Sequence, residues 1–170
     1  WQCGLDIDQL ADIGLTLGAD VPVFVRQHSA WAEGIGEKLT AIELPKIWYL
    51  VVYPDCFVST AKIFSHKALT RNCEISTIRT FFAEGGPKHG VNVMQPVVYD
   101  LYPQVKEAAK WLEAYNNSTR MTGSGSCLFA PFDNEQEARK IASRCKWPCF
   151  VAEGKNHVVL RIQTPLINND

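Results

Sequence analysis

Apolar positions recur at helical spacing from Ile7 through Leu10, Ala11, Gly14 and Leu17, which predicts a helix stopped by Gly18. Asp6 followed by Gln9 has the spacing of a capping box at its start. From Val21 the pattern changes to Val-Pro-Val-Phe-Val, read as a buried strand over 21–26 despite the proline. Shorter runs predict strands over 29–33 and 38–42, with Gly34-Ile35-Gly36 as the turn between the two. Leu44-Pro45-Lys46 then interrupts the pattern and is the natural boundary.

Beyond it, 47–53 is a strongly apolar strand, and Ser59 or Thr60 is placed to cap a short helix running through Phe64. Ile75, Ile78, Phe81 and Phe82 fall on one side of a short amphipathic helix that Gly85-Gly86-Pro87 ends. The segment 92–100 reads as helical around Pro96, and Pro103 suits the first turn of the helix that buries Val105, Ala108, Ala109 and Leu112. Strands over 118–122 and 127–132 flank Gly123-Ser124-Gly125; Asn134 and Glu137 open a last helix; strands over 149–152 and 158–162 close the chain. Strand, helices, strand, strand, helix, strand is the order of a split βαβ, ferredoxin-like unit, an antiparallel sheet with helices on one face. The expected fold is therefore α+β in two parts, with 1–45 the end of one α+β unit and 46–170 a ferredoxin-like domain.

Composition narrows the partners more than the fold. With 170 residues, 46% hydrophobic and 21% charged, the chain suits one domain or two small ones. A net charge of -1 gives no electrostatic footprint for nucleic acid or an anionic membrane, and neither is expected as a partner. No apolar run approaches the roughly 20 residues that span a bilayer. Six cysteines without a C-x-x-C pair fit a reducing, cytoplasmic setting, with Cys127, Cys145 and Cys149 in or beside apolar stretches as small core hydrophobes, and four histidines show no metal-ligand spacing. The chain starts at Trp1 with its first helix already under way, and it is expected to be cut from something longer.

Three stretches could carry chemistry. Asp20 follows a helix and precedes an apolar run, where an acid either bonds its own turn or faces a cleft. Met121-Thr-Gly-Ser-Gly-Ser-Cys-Leu-Phe-Ala130 exposes backbone at a glycine-rich turn, which makes either a plain hairpin or an anion-binding nest. Ser59-Thr-Ala-Lys-Ile-Phe64 sets a hydroxyl, a cation and an aromatic at a helix start, where Phe64 either stacks on a base or joins the core. Ser124 has no evident histidine–acid partners, so serine hydrolysis is poorly supported.

Together Leu17-Gly-Ala-Asp-Val-Pro-Val-Phe-Val25, the Ala32–Leu39 stretch, the 59–64 segment and the 121–130 segment resemble the GHMP superfamily of small-molecule kinases. Within it they are most similar to the branch that phosphorylates a cytidine-diphosphate-linked methylerythritol in non-mevalonate isoprenoid synthesis in bacteria. The resemblance implies ATP and Mg²⁺ as cofactors, the 2-hydroxyl of that small molecule as acceptor, and a cytoplasmic enzyme; it leaves a homodimer open. Asp20 then matches the catalytic aspartate, and Thr60 and Phe64 match the cytidine site. Gly123, Ser124 and Gly125 match the third superfamily motif, beside the phosphate-binding loop. Ser65 stands where a relative can carry lysine, and no role passes to it. The superfamily's N-terminal lysine segment and its glycine- and serine-rich phosphate loop are not found in these residues, so the chain by itself is expected to be inactive. Two other readings remain: another GHMP small-molecule kinase, which would lack the 59–64 segment, and a ferredoxin-like ligand- or RNA-binding module, for which no paired sheet aromatics are evident.

Overall fold

Trp48, Leu50 and Val52 alternate with Tyr49 and Val51, and a period of two sorts these residues onto opposite faces of a strand. Leu50 and Val52 are fully buried, while Tyr49 and Val51 are half-buried on the other side. In the computed structural model, which describes residues 4–73 and 77–158, this strand lies inside a four-stranded antiparallel sheet. The chain divides into two compact units, Trp1–Leu44 with Lys155–Asp170, and Pro45–Gly154.

In the first unit, α1 (Ile7–Leu17) has the expected capping box, with Asp6 and Gln9 each accepting the other's backbone N–H. Only Ala11 and Gly14 of this helix are buried; Ile7, Leu10, Ile13 and Leu17 are exposed. The strand expected over 21–26 is instead a helix, α2 (Val21–Arg26). Pro22 sits in its first turn, where a missing N–H costs nothing, and a continuous apolar run of this length carries no period to separate helix from strand. The two helices meet closely because Gly14 has no side chain: a Cβ there would stand 2.7 Å from Val21 Cγ1. A hairpin of β1 (Ala30–Glu33) and β2 (Lys38–Ala41) follows, in the register Ala30↔Ala41 to Glu33↔Lys38.

The segment from Lys155 groups with the first unit, whereas the sequence reading kept 46–170 together. Its backbone explains the change. Ser29 N donates to Asn156 O (2.8 Å), Val158 N to Gln27 O (3.0 Å), and the Asn156 side chain makes paired 2.9 Å bonds with Leu44 N and O. Most of the strand expected over 158–162 lies outside the described residues, as does Ile75.

The second unit contains β3 (Trp48–Val52), α3 (Thr60–Phe64), α4 (Ile78–Ala83), a 3-10 turn (Gly86–Lys88), α5 (Gln95–Leu101) and α6 (Pro103–Glu113), then β4 (Arg120–Met121), β5 (Leu128–Phe132), α7 (Glu135–Ala142) and β6 (Cys149–Glu153). The sheet order is β4-β5-β3-β6. With these strands counted one to four along the chain, that is the ferredoxin-like order anticipated from the sequence. Pro96 and Pro103 both fall in first helical turns. Leu50, Val52, Leu128 and Ala130 of the sheet form one core with Ile63 of α3, Val98 of α5, Leu112 of α6 and Ala138 of α7. Cys56 is buried in that core, Cys127, Cys145 and Cys149 are half-buried, Cys73 is exposed, and all five are free.

The face of the sheet opposite Leu50 and Val52 carries a pair of aromatics that sequence reading missed. Tyr49 and Phe129 stand on adjacent strands, edge to face at 5.9 Å. They are not left bare. The Arg120 guanidinium lies 5.1 Å from the Phe129 ring centroid and donates to the carbonyls of Pro87 and His89, strapping the 3-10 turn over the face. Burial pushes the Arg120 pKa down from its ordinary value. Arg120→Met keeps the bulk but leaves two carbonyls unpaired, so a loss of about 1–3 kcal/mol in urea denaturation is expected. Faster amide exchange confined at first to 86–90 should accompany it.

Candidate active site

A cap decides where α3 begins. Ser59 is extended (φ −75°, ψ 110°), and its hydroxyl accepts from Lys62 N at 3.4 Å. Once the helix starts there, its faces follow: Ile63 is fully buried and Phe64 is 54% exposed. The core role left open for Phe64 is thereby removed, since its neighbour fills that place. Arg71 closes the other end, donating to the carbonyls of Phe64 (2.8 Å), His66 (3.3 Å) and Leu69 (3.2 Å). The Lys62 ammonium lies 5.7 Å from the centroid of the Tyr102 ring.

The glycine-rich stretch is a tight turn between β4 and β5. Thr122 N donates to Cys127 O (2.9 Å) and Gly125 N to Thr122 O (3.1 Å). Gly123 (φ 55°) and Gly125 (φ 92°) take left-handed conformations that glycine adopts without strain. Gly125 also lacks room for a side chain, because a Cβ would stand 2.9 Å from Met121 Sδ. The expected run of free amides is shortened, since the Gly125 amide is spent inside the turn. Ser126 is buried, and its hydroxyl has no partner among the described residues.

Asn92 sets the turn's orientation. Its amide donates to Met121 O (2.9 Å) and Gly123 O (2.8 Å), and its own oxygen accepts from Met94 N (3.0 Å). Gln95 Oε1 adds a bond from Met121 N at 2.9 Å. Sequence reading singled out none of Arg71, Asn92 and Gln95. The only local signal was an amide residue just before a helix, at Asn92.

These two elements meet at one bond. Thr60 Oγ1 and Ser124 Oγ are 2.6 Å apart, and either can donate. Of the residues expected to matter, Thr60, Phe64, Gly123, Ser124 and Gly125 all belong to the second unit, and the structure joins the first group to the second through that bond.

Asp20 belongs to the first unit. It is exposed, it precedes α2 with helical angles (φ −85°, ψ −8°), and its carboxylate makes no cap hydrogen bond. The turn-bonding role is therefore absent, and the carboxylate is available. Its place is held by the β1–β2 turn: Gly36 (φ 118°) comes so close to the preceding residue that a Cβ would stand 2.9 Å from Ala19 O. Glu37 fixes that turn, accepting from Ile35 N at 2.7 Å, and hydrogen bonding from its own backbone N–H and from that of Ile35 holds its carboxyl below the usual range. No group of three or more His, Cys, Asp or Glu among the described residues is arranged to hold a metal ion.

Residues 75–148 match the family model described as GHMP kinases C terminal. With the sheet order and the glycine turn in place, the chain is similar over that stretch to the GHMP kinase family. The chain is 47% identical over 167 residues to the 4-diphosphocytidyl-2-C-methyl-D-erythritol kinase of Tolumonas auensis, across 95% of this chain and 57% of that relative. The enzyme of the same name from Nitrosococcus oceani is 47% identical over 163 residues, across 94% and 56%. A crystal structure of 4-(cytidine 5'-diphospho)-2C-methyl-D-erythritol kinase superposes with a TM-score of 0.72 at 26% identity, covering 90% of this chain and 58% of that one. The chain thus spans somewhat more than half the length of the relatives it matches.

The opposite faces of α3 predict opposite stability effects. Ile63→Ala should cost about 2–5 kcal/mol, as for a buried isoleucine truncated in a packed core. Phe64→Ala, at an exposed position, should stay within about 0.5 kcal/mol. Urea denaturation of the two variants checks both.

Proposed function

We propose that this chain serves the ATP-dependent phosphorylation of 4-diphosphocytidyl-2-C-methyl-D-erythritol at its 2-hydroxyl. The observation that supports this reading best is the meeting of α3 with the glycine turn at Thr60 and Ser124. It sets an exposed aromatic, suited to stacking on a base, on the element next to a turn of the kind that borders bound phosphate. In this reading Phe64 stacks on cytosine, Thr60 bonds the nucleotide part of the substrate, and Gly123, Ser124 and Gly125 support the loop beside the ATP phosphates.

Asp20 supplies the carboxylate for the accepting hydroxyl. The hydroxyl oxygen bonds the terminal phosphorus of ATP as the bond to the ADP oxygen breaks, and the hydroxyl proton passes to the carboxylate. Phosphoryl transfer runs through a loose transition state, so most of the catalysis is alignment and charge stabilisation. A carboxylate free of local hydrogen bonds can orient the alcohol and accept its proton as bonding proceeds. The described residues do not fit a Mg²⁺ cage, and a cation carried on the nucleotide would take its ligands from phosphate and water. Charged nucleotide substrates fit a cytoplasmic enzyme. Among the described residues no helix is long and apolar enough to cross a membrane.

The test uses the full-length protein and follows ADP release that depends on the diphosphocytidyl alcohol. Asp20→Asn is nearly isosteric and should leave the melting temperature unchanged while lowering turnover. Loss of a general base costs about 10²–10⁴-fold, and the lower half is expected because a loose transition state needs little proton removal beforehand. A well-folded Asp20→Asn protein with near-normal turnover would remove Asp20 from the reaction. In the same protein, Phe64→Ala should weaken binding of the alcohol roughly ten- to a hundredfold, the range of base–aromatic stacking, with little change in ATP affinity. Calorimetric titration with each ligand reads that difference.

A further inference from the structure

The Thr60–Ser124 bond joins two hydroxyls, each with one proton and two lone pairs. Whichever hydroxyl donates inward has no proton left for a ligand and can only accept on its outer side. Its partner keeps an outward proton. The pair therefore offers a donor to one side and an acceptor to the other, and the two settings are exclusive. Both side chains reach solvent, Thr60 exposed and Ser124 half-buried, so both outer sides are open to ligands.

Neither element is free to drift and dissolve this arrangement. The turn is held by Asn92 through Met121 O and Gly123 O, and α3 is held by its Ser59 cap, buried Ile63 and the Arg71 bonds at its end. What remains adjustable is the direction of the two hydroxyl protons, which reorient together. An anion at Ser124 presents only acceptors, so it draws the Ser124 proton outward. Thr60 must then donate inward, and it faces its own ligand as an acceptor.

We propose that this hydroxyl pair couples the two ligand sites: phosphate at the glycine turn sets Thr60 as an acceptor and thereby favours a ligand that brings an N–H or O–H donor to α3. The proposal rests on the kinase reading for the identity of the two ligands. Thr60 and Ser124 act in it as positioning residues for one another, beyond any contact each makes alone. By linkage, the alcohol must tighten nucleotide binding by the same factor as the nucleotide tightens the alcohol.

The experiment titrates the full-length protein with the diphosphocytidyl alcohol, with and without saturating β,γ-methylene ATP, and then in the reverse order. In the wild type the analogue should tighten alcohol binding about three- to tenfold, the worth of one hydrogen bond. Thr60→Val and Ser124→Ala should each bring that ratio to about one, the double variant should lower it no further, and Thr60→Ser should restore it. A wild-type ratio of one, or a ratio that survives either substitution in proteins with normal melting curves, overturns the coupling. A wild type that binds neither ligand overturns the kinase reading itself.

Discussion

Burial of β3 between β5 and β6 is the constraint on which the rest of the second unit depends. A strand bonded on both edges cannot slip by one residue without turning Leu50 and Val52 away from the core. Its register pairs Val52 with Leu128 and with Cys149. The last residue of β3 thus lies beside the first of β5, so the connection to α3 and the glycine turn leave the sheet at the same end. Thr60 and Ser124, far apart in sequence, meet because of that alignment rather than through any attraction of their own. The core positions the site, and the Thr60–Ser124 bond across it sets a finer geometry.

The parts of this arrangement that were legible in the sequence are those whose cause is local. The apolar run of β3 and the caps at Asp6, at Asn134 and at one of Ser59 or Thr60 each depend on residues within a few positions, and all are found there, with Ser59 as the cap of α3. The order of elements then sufficed for the ferredoxin-like sheet. Segment 21–26 failed because a short apolar run without polar positions has no period, and a proline admits a first helical turn as readily as an edge strand. The Lys155 segment failed because its partners, Gln27, Ser29 and Leu44, lie more than a hundred residues earlier.

The two halves of the candidate chemistry differ in the same way. Phe64 could be named from its motif, but only the burial of Ile63 shows which way it faces. Asp20 could be named from its motif as well, while its spacing left a turn-bonding acid and a free one both open. Its backbone settles the matter, since helical angles at Asp20 carry its side chain away from the cap bond that an extended residue would make. The support for that position, the close approach of Gly36 to Ala19, belongs to a different hairpin and leaves no trace beyond a glycine.

Asn92 gives the glycine turn a dependence that its own letters do not contain. The turn's direction is borrowed from an amide about thirty residues upstream, which grips Met121 and Gly123 by their carbonyls, groups that every amino acid possesses. The ten residues from Met121 to Ala130 are therefore not a portable cassette. Spliced into another β-hairpin, the same string would close the same turn and aim it elsewhere. Among descendants of this fold, a lineage that exchanged Asn92 would keep a perfect match to the motif while its loop looked in a different direction. Inheritance of the motif and inheritance of the site are separable, and position 92 is where they part.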